Sequence, residues 1–187
     1  TSSQTPRNSL WWQPADGSGA GELLHESEFD IREGVFTPRG DAVVYRADTP
    51  DRNRDIYLVP LTGDRKAVPL LERVDDDKQP RVSPDGRWLA FVSNESGREE
   101  VYVRTLANGG ARVPVSTGGG GEPLWAPDGR RLFYRAGARV MAARIVTALK
   151  EDPNRFLATV QIGMTVVGST AAVISGAASV RFLEPIV

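Results

Sequence analysis

One turn occurs three times at nearly constant spacing, and this constrains the chain more than any other feature. The copies read Val35-Phe-Thr-Pro-Arg-Gly40, Val82-Ser-Pro-Asp-Gly86 and Trp125-Ala-Pro-Asp-Gly129. Their prolines, Pro38, Pro84 and Pro127, stand 46 and 43 residues apart. Proline presets φ at the second position of a turn, and a glycine two residues on accepts the positive φ that closes it. Gly40, Gly86 and Gly129 hold that place, and Asp85 and Asp128 can accept bonds from nearby backbone amides. These eight positions are the candidate structural turn residues. The first copy departs from the others in carrying Arg39 where they carry aspartate.

Each turn is followed by a short apolar run: Ala42-Val-Val-Tyr45, Trp88-Leu-Ala-Phe-Val92 and Leu132-Phe-Tyr134. Runs this short and rich in β-branched and aromatic residues predict strands buried on both faces. A third strand is expected at Ile56-Tyr-Leu-Val59, Val101-Tyr-Val103 and Val140-Met-Ala-Ala143, and a fourth over 66–71 and 112–116. Counting back 45 residues from Tyr57 lands on Trp12, so residues 9–26 read as the second half of an earlier unit. A period in the low forties is the spacing of β-propeller blades. The fold class is therefore all-β, a partial, open propeller of about three four-stranded blades. The blades are expected over about 34–72, 79–117 and 121–147, within a body spanning 1–147. An open arc leaves apolar faces uncovered, so a fragment, or self-association completing the propeller, is expected.

The remaining features exclude more than they suggest. A net charge of −1 gives no electrostatic footprint for nucleic acid. Cysteine is absent and His25 is the only histidine, so neither a zinc site nor a histidine-based metalloprotease motif can be built. No Gly-x-Ser-x-Gly elbow occurs. Residues 48–55 space their acids like a calcium loop but lack its central glycine and terminal glutamate, and read as a solvated hairpin loop. Gly118–Gly121 lacks the Lys-Ser/Thr of a phosphate loop and reads as a flexible crossing between blades. Trp11, Trp12, Trp88 and Trp125 read as packing between blades rather than a stacking platform. No catalytic residue, cofactor or metal is predicted.

The stretch Ser83–Phe91, Ser-Pro-Asp-Gly followed by a Leu-Ala-Phe strand, resembles the TolB-like (WD-repeat-like) propeller family. With Ser93–Val103, Ser116-Thr-Gly-Gly, Glu122-Pro-Leu-Trp and Asp128–Arg135, it resembles in particular the propellers appended to bacterial serine/threonine protein kinases. The likeness covers about residues 9–147. It implies a non-enzymatic scaffold for protein binding or sensing, since members of the TolB family are periplasmic and bind proteins through the propeller. Kinase motifs are missing, as is the hydrolase domain of prolyl-oligopeptidase-type enzymes, which also carry propellers.

Residues 148–187 differ in character. Phe156 to Val180 carries no charge, which is long enough to span a bilayer as a helix. Gly168, Ala172 and Gly176 recur every four residues, placing a small face on that helix for close helix packing. Asp152–Gly168 resembles the transmembrane domain of the CorC/cyclin-M family, magnesium-linked membrane proteins. The sequence reading is thus a bacterial, membrane-associated propeller scaffold of the cell envelope, tethered through 156–180, with a chimeric junction near 147–150. Its alternatives are a fragment of a CorC/cyclin-M-like transport protein, or the propeller remnant of a kinase or prolyl-oligopeptidase-type enzyme.

Overall fold

A computed structural model of the chain describes residues 8–50, 53–107 and 110–145. Among these residues there are thirteen β-strands and no helix. β1 (Asn8–Trp12) and β2 (Glu22–Ser27) form an antiparallel pair. β3 (Asp30–Phe36), β4 (Ala42–Thr49), β5 (Asn53–Pro60) and β6 (Val68–Leu71) follow one another in a four-stranded meander. β7 (Lys78–Val82), β8 (Trp88–Ser93), β9 (Glu100–Thr105) and β10 (Val113–Pro114) repeat it. β11 (Gly121–Trp125), β12 (Arg131–Ala136) and β13 (Arg139–Arg144) form a three-stranded sheet.

The sheets stack face to face because their second and third strands are apolar on both sides. Val44, Ile56, Leu70 and Leu71 of the β3–β6 sheet meet Leu89, Phe91 and Tyr102 of the β7–β10 sheet. The opposite face of that second sheet, Ala90, Val92, Val101 and Val103, meets Leu132, Tyr134 and Ala143. Val43, Tyr45, Ala47 and Val59 turn the other way, toward Leu10 of β1. Each fully buried side chain of this kind contributes on the order of 1.5–3 kcal/mol. This is a propeller-like arrangement in which each sheet buries its faces against its neighbours.

The expected C-terminal membrane helix over 156–180, with Gly168, Ala172 and Gly176 on its packing face, lies outside the described residues. Among the described residues no helix is long and apolar enough to cross a membrane. The fold class is corrected accordingly, to an all-β, propeller-like stack without the helix. Strand periodicity accounts for every described element, and among the described residues no structural element carries a membrane-associated localisation.

The four-glycine run is not uniformly free. A Cβ on Gly120 would lie 2.3 Å from Ser116 Oγ and 3.1 Å from Val101 Cγ2, whereas one on Gly118 would meet nothing within 4 Å. Gly120→Ala is expected to destabilise the chain by about 1–3 kcal/mol through overpacking, and Gly118→Ala by well under 1 kcal/mol. Urea unfolding of the two variants checks this, and equal effects would contradict the tight crossing.

Candidate interaction surface on the first strands

The first strands of the sheets, β3, β7 and β11, adjoin one another. Each carries a bulge, between Arg32 and Val35, Lys78 and Arg81, and Gly121 and Leu124. Inside each bulge sits a non-glycine residue with positive φ: Glu33 at 49°, Gln79 at 55° and Glu122 at 53°. A left-handed conformation costs such a residue about 1–3 kcal/mol unless its surroundings hold it. For Gln79 and Glu122 the holding group is the preceding sheet. Gln79 N–H donates to Glu33 Oε2 at 2.7 Å, and Glu122 N–H donates to Gln79 Oε1 at 2.7 Å. The strained residue thus aims its amide across the gap and offers its own side chain to the next sheet.

A second regularity lies thirteen residues further along, on the neighbouring strand. Arg46 Nη1 pairs with Glu33 Oε1 at 3.0 Å and Arg135 Nε with Glu122 Oε2 at 3.0 Å. The middle repeat has neutral Gln79 and apolar Val92 at these two places. The Glu33 pair is half buried and the Glu122 pair is exposed, so the latter adds at most about 1 kcal/mol. Sequence reading missed this row because a lone Glu or Gln in a strand looks like a solvated residue. The available signal was positional: Glu33, Gln79 and Glu122 each stand five residues before the turn proline.

The turn residues sit at the other end of the first strands. Gly40, Gly86 and Gly129 have φ of 68°, 71° and 66°. Pro38 Cδ lies 3.7 Å from where a Cβ on Gly86 would be, and Pro84 Cδ stands at the same distance from Gly129. The turns therefore stack from sheet to sheet: Pro38 against Gly86, Pro84 against Gly129. Pro127 closes the third turn, where Gly129 N–H donates to Ala126 O at 2.9 Å. Asp85 accepts from Ser83 Oγ at 2.6 Å and Arg87 N–H at 3.1 Å, and Asp128 accepts from Arg130 N–H at 2.9 Å. Burial pushes the Asp85 carboxyl upward, but the bonds from Ser83 and Arg87 outweigh it and hold it below its ordinary range. In the first turn Asp41 takes over the role that Arg39 cannot fill. Thr37 Oγ1 donates to Asp41 Oδ1 at 2.6 Å and keeps that carboxyl low, and Arg39 pairs with its other oxygen at 2.8 Å.

Other candidate groups are absorbed by packing. His25 Nε2 lies 3.1 Å from Tyr45 OH, and partial burial lowers its pKa. Trp125 is buried and donates Nε1–H to Arg81 O at 3.0 Å across the sheet gap. Trp88 packs at the margin of the same core, while Trp11 and Trp12 are exposed. Among the described residues no three His, Cys, Asp or Glu side chains are grouped so as to hold a metal ion.

The crossing between β6 and β7 carries the most perturbed carboxyl. Asp77 is fully buried beside Ser93, its N–H donates to Arg54 O, and Arg112 Nη2 lies 3.2 Å from its Oδ2. Burial pushes it up to about 6 against the opposing pull of Ser93 and Arg112, with Asp75 and Glu95 pushing the same way as burial. The folded chain therefore holds this proton more tightly than the unfolded chain. Its contribution to stability is fully present below the ordinary aspartate range and is lost as pH rises through about 6. Asp77→Asn is expected to remove this pH dependence, on the order of 2–3 kcal/mol between pH 4 and 7. Arg112 retains Glu95 at 2.8 Å. Chemical denaturation of both proteins across that range checks it, and parallel pH profiles would contradict it.

Comparison with known proteins places this geometry. No family model matches the chain. TolB of the Tol-Pal system from Bordetella pertussis is 40% identical over 95 residues, covering 51% of this chain and 20% of TolB. The uncharacterized peptidase YuxL from Bacillus subtilis is 30% identical over 112 residues, covering 55% of this chain and 17% of YuxL. The crystal structure of TolB from Acinetobacter baumannii superposes with a TM-score of 0.61 at 20% identity, over 76% of this chain and 36% of that one. The chain spans about a fifth of the length of the curated relatives it matches. Its fold is that of a TolB-like propeller, and the recurrent match is to a non-catalytic protein. The resemblances to kinase-appended propellers and to the CorC/cyclin-M transmembrane domain are corrected here. The relatives found support a TolB-like propeller, and nothing in these matches supports a kinase-appended propeller or a CorC/cyclin-M transmembrane domain. The expected membrane-associated localisation is corrected as well: among the described residues no helix is long and apolar enough to cross a membrane.

Proposed function

We propose that this chain is a propeller module that binds protein partners, serving the kind of role TolB has in the Tol-Pal system. The observation that carries this reading is the row Glu33, Gln79 and Glu122. Three sheets contribute equivalent, outwardly polar groups to one continuous strip, and the strip is fixed by backbone bonds rather than by any catalytic arrangement. The repeated likeness to TolB supports the same reading. Isothermal titration against a purified Pal domain tests it. Saturable binding in the micromolar range is expected, and no heat up to about a hundredfold excess over that range would overturn the Tol-Pal assignment. Glu122→Arg is expected to weaken the complex about tenfold without altering the melting temperature. Its side chain reaches only Arg135, while its backbone amide holds the row.

The likeness to YuxL favours a second reading, a propeller that docks on a peptidase domain. Binding to a separately purified YuxL-type peptidase domain, with none to Pal, would select it.

A further inference from the structure

The outward face of the last described sheet repeats positions that are sealed elsewhere. Register places Phe133 where Val44 and Ala90 stand in the preceding sheets, and Val140 where Ile56 and Val101 stand. Those four counterparts are 0% exposed, yet Val140 is 75% and its neighbour Leu124 is 61% exposed. Leu124, Phe133 and Ala142 form a cross-strand stripe, flanked on the same face by Arg131, Arg135 and Arg144. Arg131 lies over the Phe133 ring, 5.8 Å from its centroid. This face is apolar at its centre, and its edge carries Arg144 together with two arginines paired locally, Arg135 with Glu122 and Arg131 with Asp128.

The opposite end of the stack presents the complementary surface. Alternation along β1 points Leu10 inward onto the Tyr45 cluster and leaves Trp11 61% exposed opposite Leu23, and the bulge between them matches the one between Ile56 and Tyr57. Trp11 donates Nε1–H to Ser9 Oγ, so Ser9 and Trp11 share the outward face, and Glu26 stands opposite Ser9. Trp11 thereby occupies the place of Tyr57 and Tyr102, the third-strand aromatics facing the preceding sheet. Tyr102 fills that role between the two complete sheets by packing among Val44, Ile56 and Leu71.

We propose that the Leu124–Phe133–Val140 face takes a second copy of this chain, whose Trp11–Leu23 face packs on it as Tyr102 packs on Val44 and Ile56. Glu26 of the second copy faces the arginine edge, giving an acidic-on-basic rim around an apolar centre. Because the two faces differ, each copy can offer one while receiving the other, and two copies related by a twofold axis close both junctions. The inference deepens the protein-binding reading by naming a partner. It rests on that reading only for the fold.

The test is sedimentation of the whole chain and of two single variants, Trp11→Asp and Val140→Asp. Both side chains are exposed, so the variants are expected to fold, and their circular dichroism checks this. The unaltered chain is expected to dimerise at tens of micromolar. Each variant alone is expected to dissociate at least tenfold more readily. An equimolar mixture is expected to recover a heterodimer, since one intact pair of faces remains between them. A monomeric parent chain, or variants whose association is unchanged, would overturn the proposal. A monomer with a spin label at position 140 shielded from solvent would overturn it too, assigning the cover to residues 146–187 of the same chain. Pal binding is measured separately, so loss of one result leaves the other readable.

Discussion

Phe91→Ala is expected to be the most damaging single change, lowering stability by about 3–5 kcal/mol. Phe91 is fully buried at the junction of the two complete sheets. It stacks on Tyr102 with ring centroids 5.8 Å apart, and the Arg112 guanidinium lies over the Phe91 ring, 5.4 Å from its centroid. Truncation would remove the apolar area, leave a cavity between two sheets, and strip Arg112 of the ring beneath it. Because Arg112 also pairs with Asp77, the damage would reach the crossing that joins the sheets. Equilibrium denaturation measures the loss. A cost below about 1 kcal/mol would mean that the sheets do not share this core.

Glu100→Ala is expected to cost about 3 kcal/mol, more than its solvent-exposed neighbours could. Glu100 is 2% exposed, and both its carboxylate oxygens accept hydrogen bonds. Ser116 Oγ donates to Oε2, and Gly119 N–H and Arg98 Nε–H donate to Oε1 at 2.8 and 2.9 Å. Ser116 Oγ in turn accepts from Val101 N–H at 2.8 Å. Removing the carboxylate strands the buried Ser116 hydroxyl and the half-buried Gly119 amide and loosens the segment that carries the chain to β11, and a stranded buried group costs about 1–3 kcal/mol. Glu100→Gln keeps the acceptor oxygen toward Gly119 and is expected to recover about half the loss. Thermal melts of the two variants distinguish them, and identical melts would show that shape rather than bonding holds the crossing. Asp55 is the matching buried carboxylate one sheet earlier, accepting from Arg73 N–H at 3.3 Å.

The repeating hairpins could be read from sequence because their determinants are local. Proline, glycine and a short apolar run act within one turn and one strand, and their spacing needs no knowledge of neighbours. The row of Glu33, Gln79 and Glu122 was hidden because its continuity lies between sheets: each strained residue is bonded to the sheet beside it. Trp11 and Trp12 show a subtler limit. Counting 45 residues back from Tyr57 selects Trp12, but the bulge after Ile56 recurs after Leu10, so Trp11 takes the outward place and Trp12 makes an edge contact with Phe36. A one-residue difference in repeat length changes which side chain faces out, and a fixed period cannot see it. The membrane helix was drawn from an uncharged stretch outside the described residues. Length and lack of charge permit a span, but they do not specify one.

The central claim is that consecutive sheets are joined into one propeller-like module through the bulged residues of their first strands. Amide hydrogen exchange at Gln79 and Glu122 tests it most directly. Both amides are expected to be strongly protected, and Glu33→Ala is expected to speed exchange at Gln79 at least tenfold while leaving Glu122 protected by Gln79. Exchange of both at the rate of free amides in the unaltered chain would contradict the account.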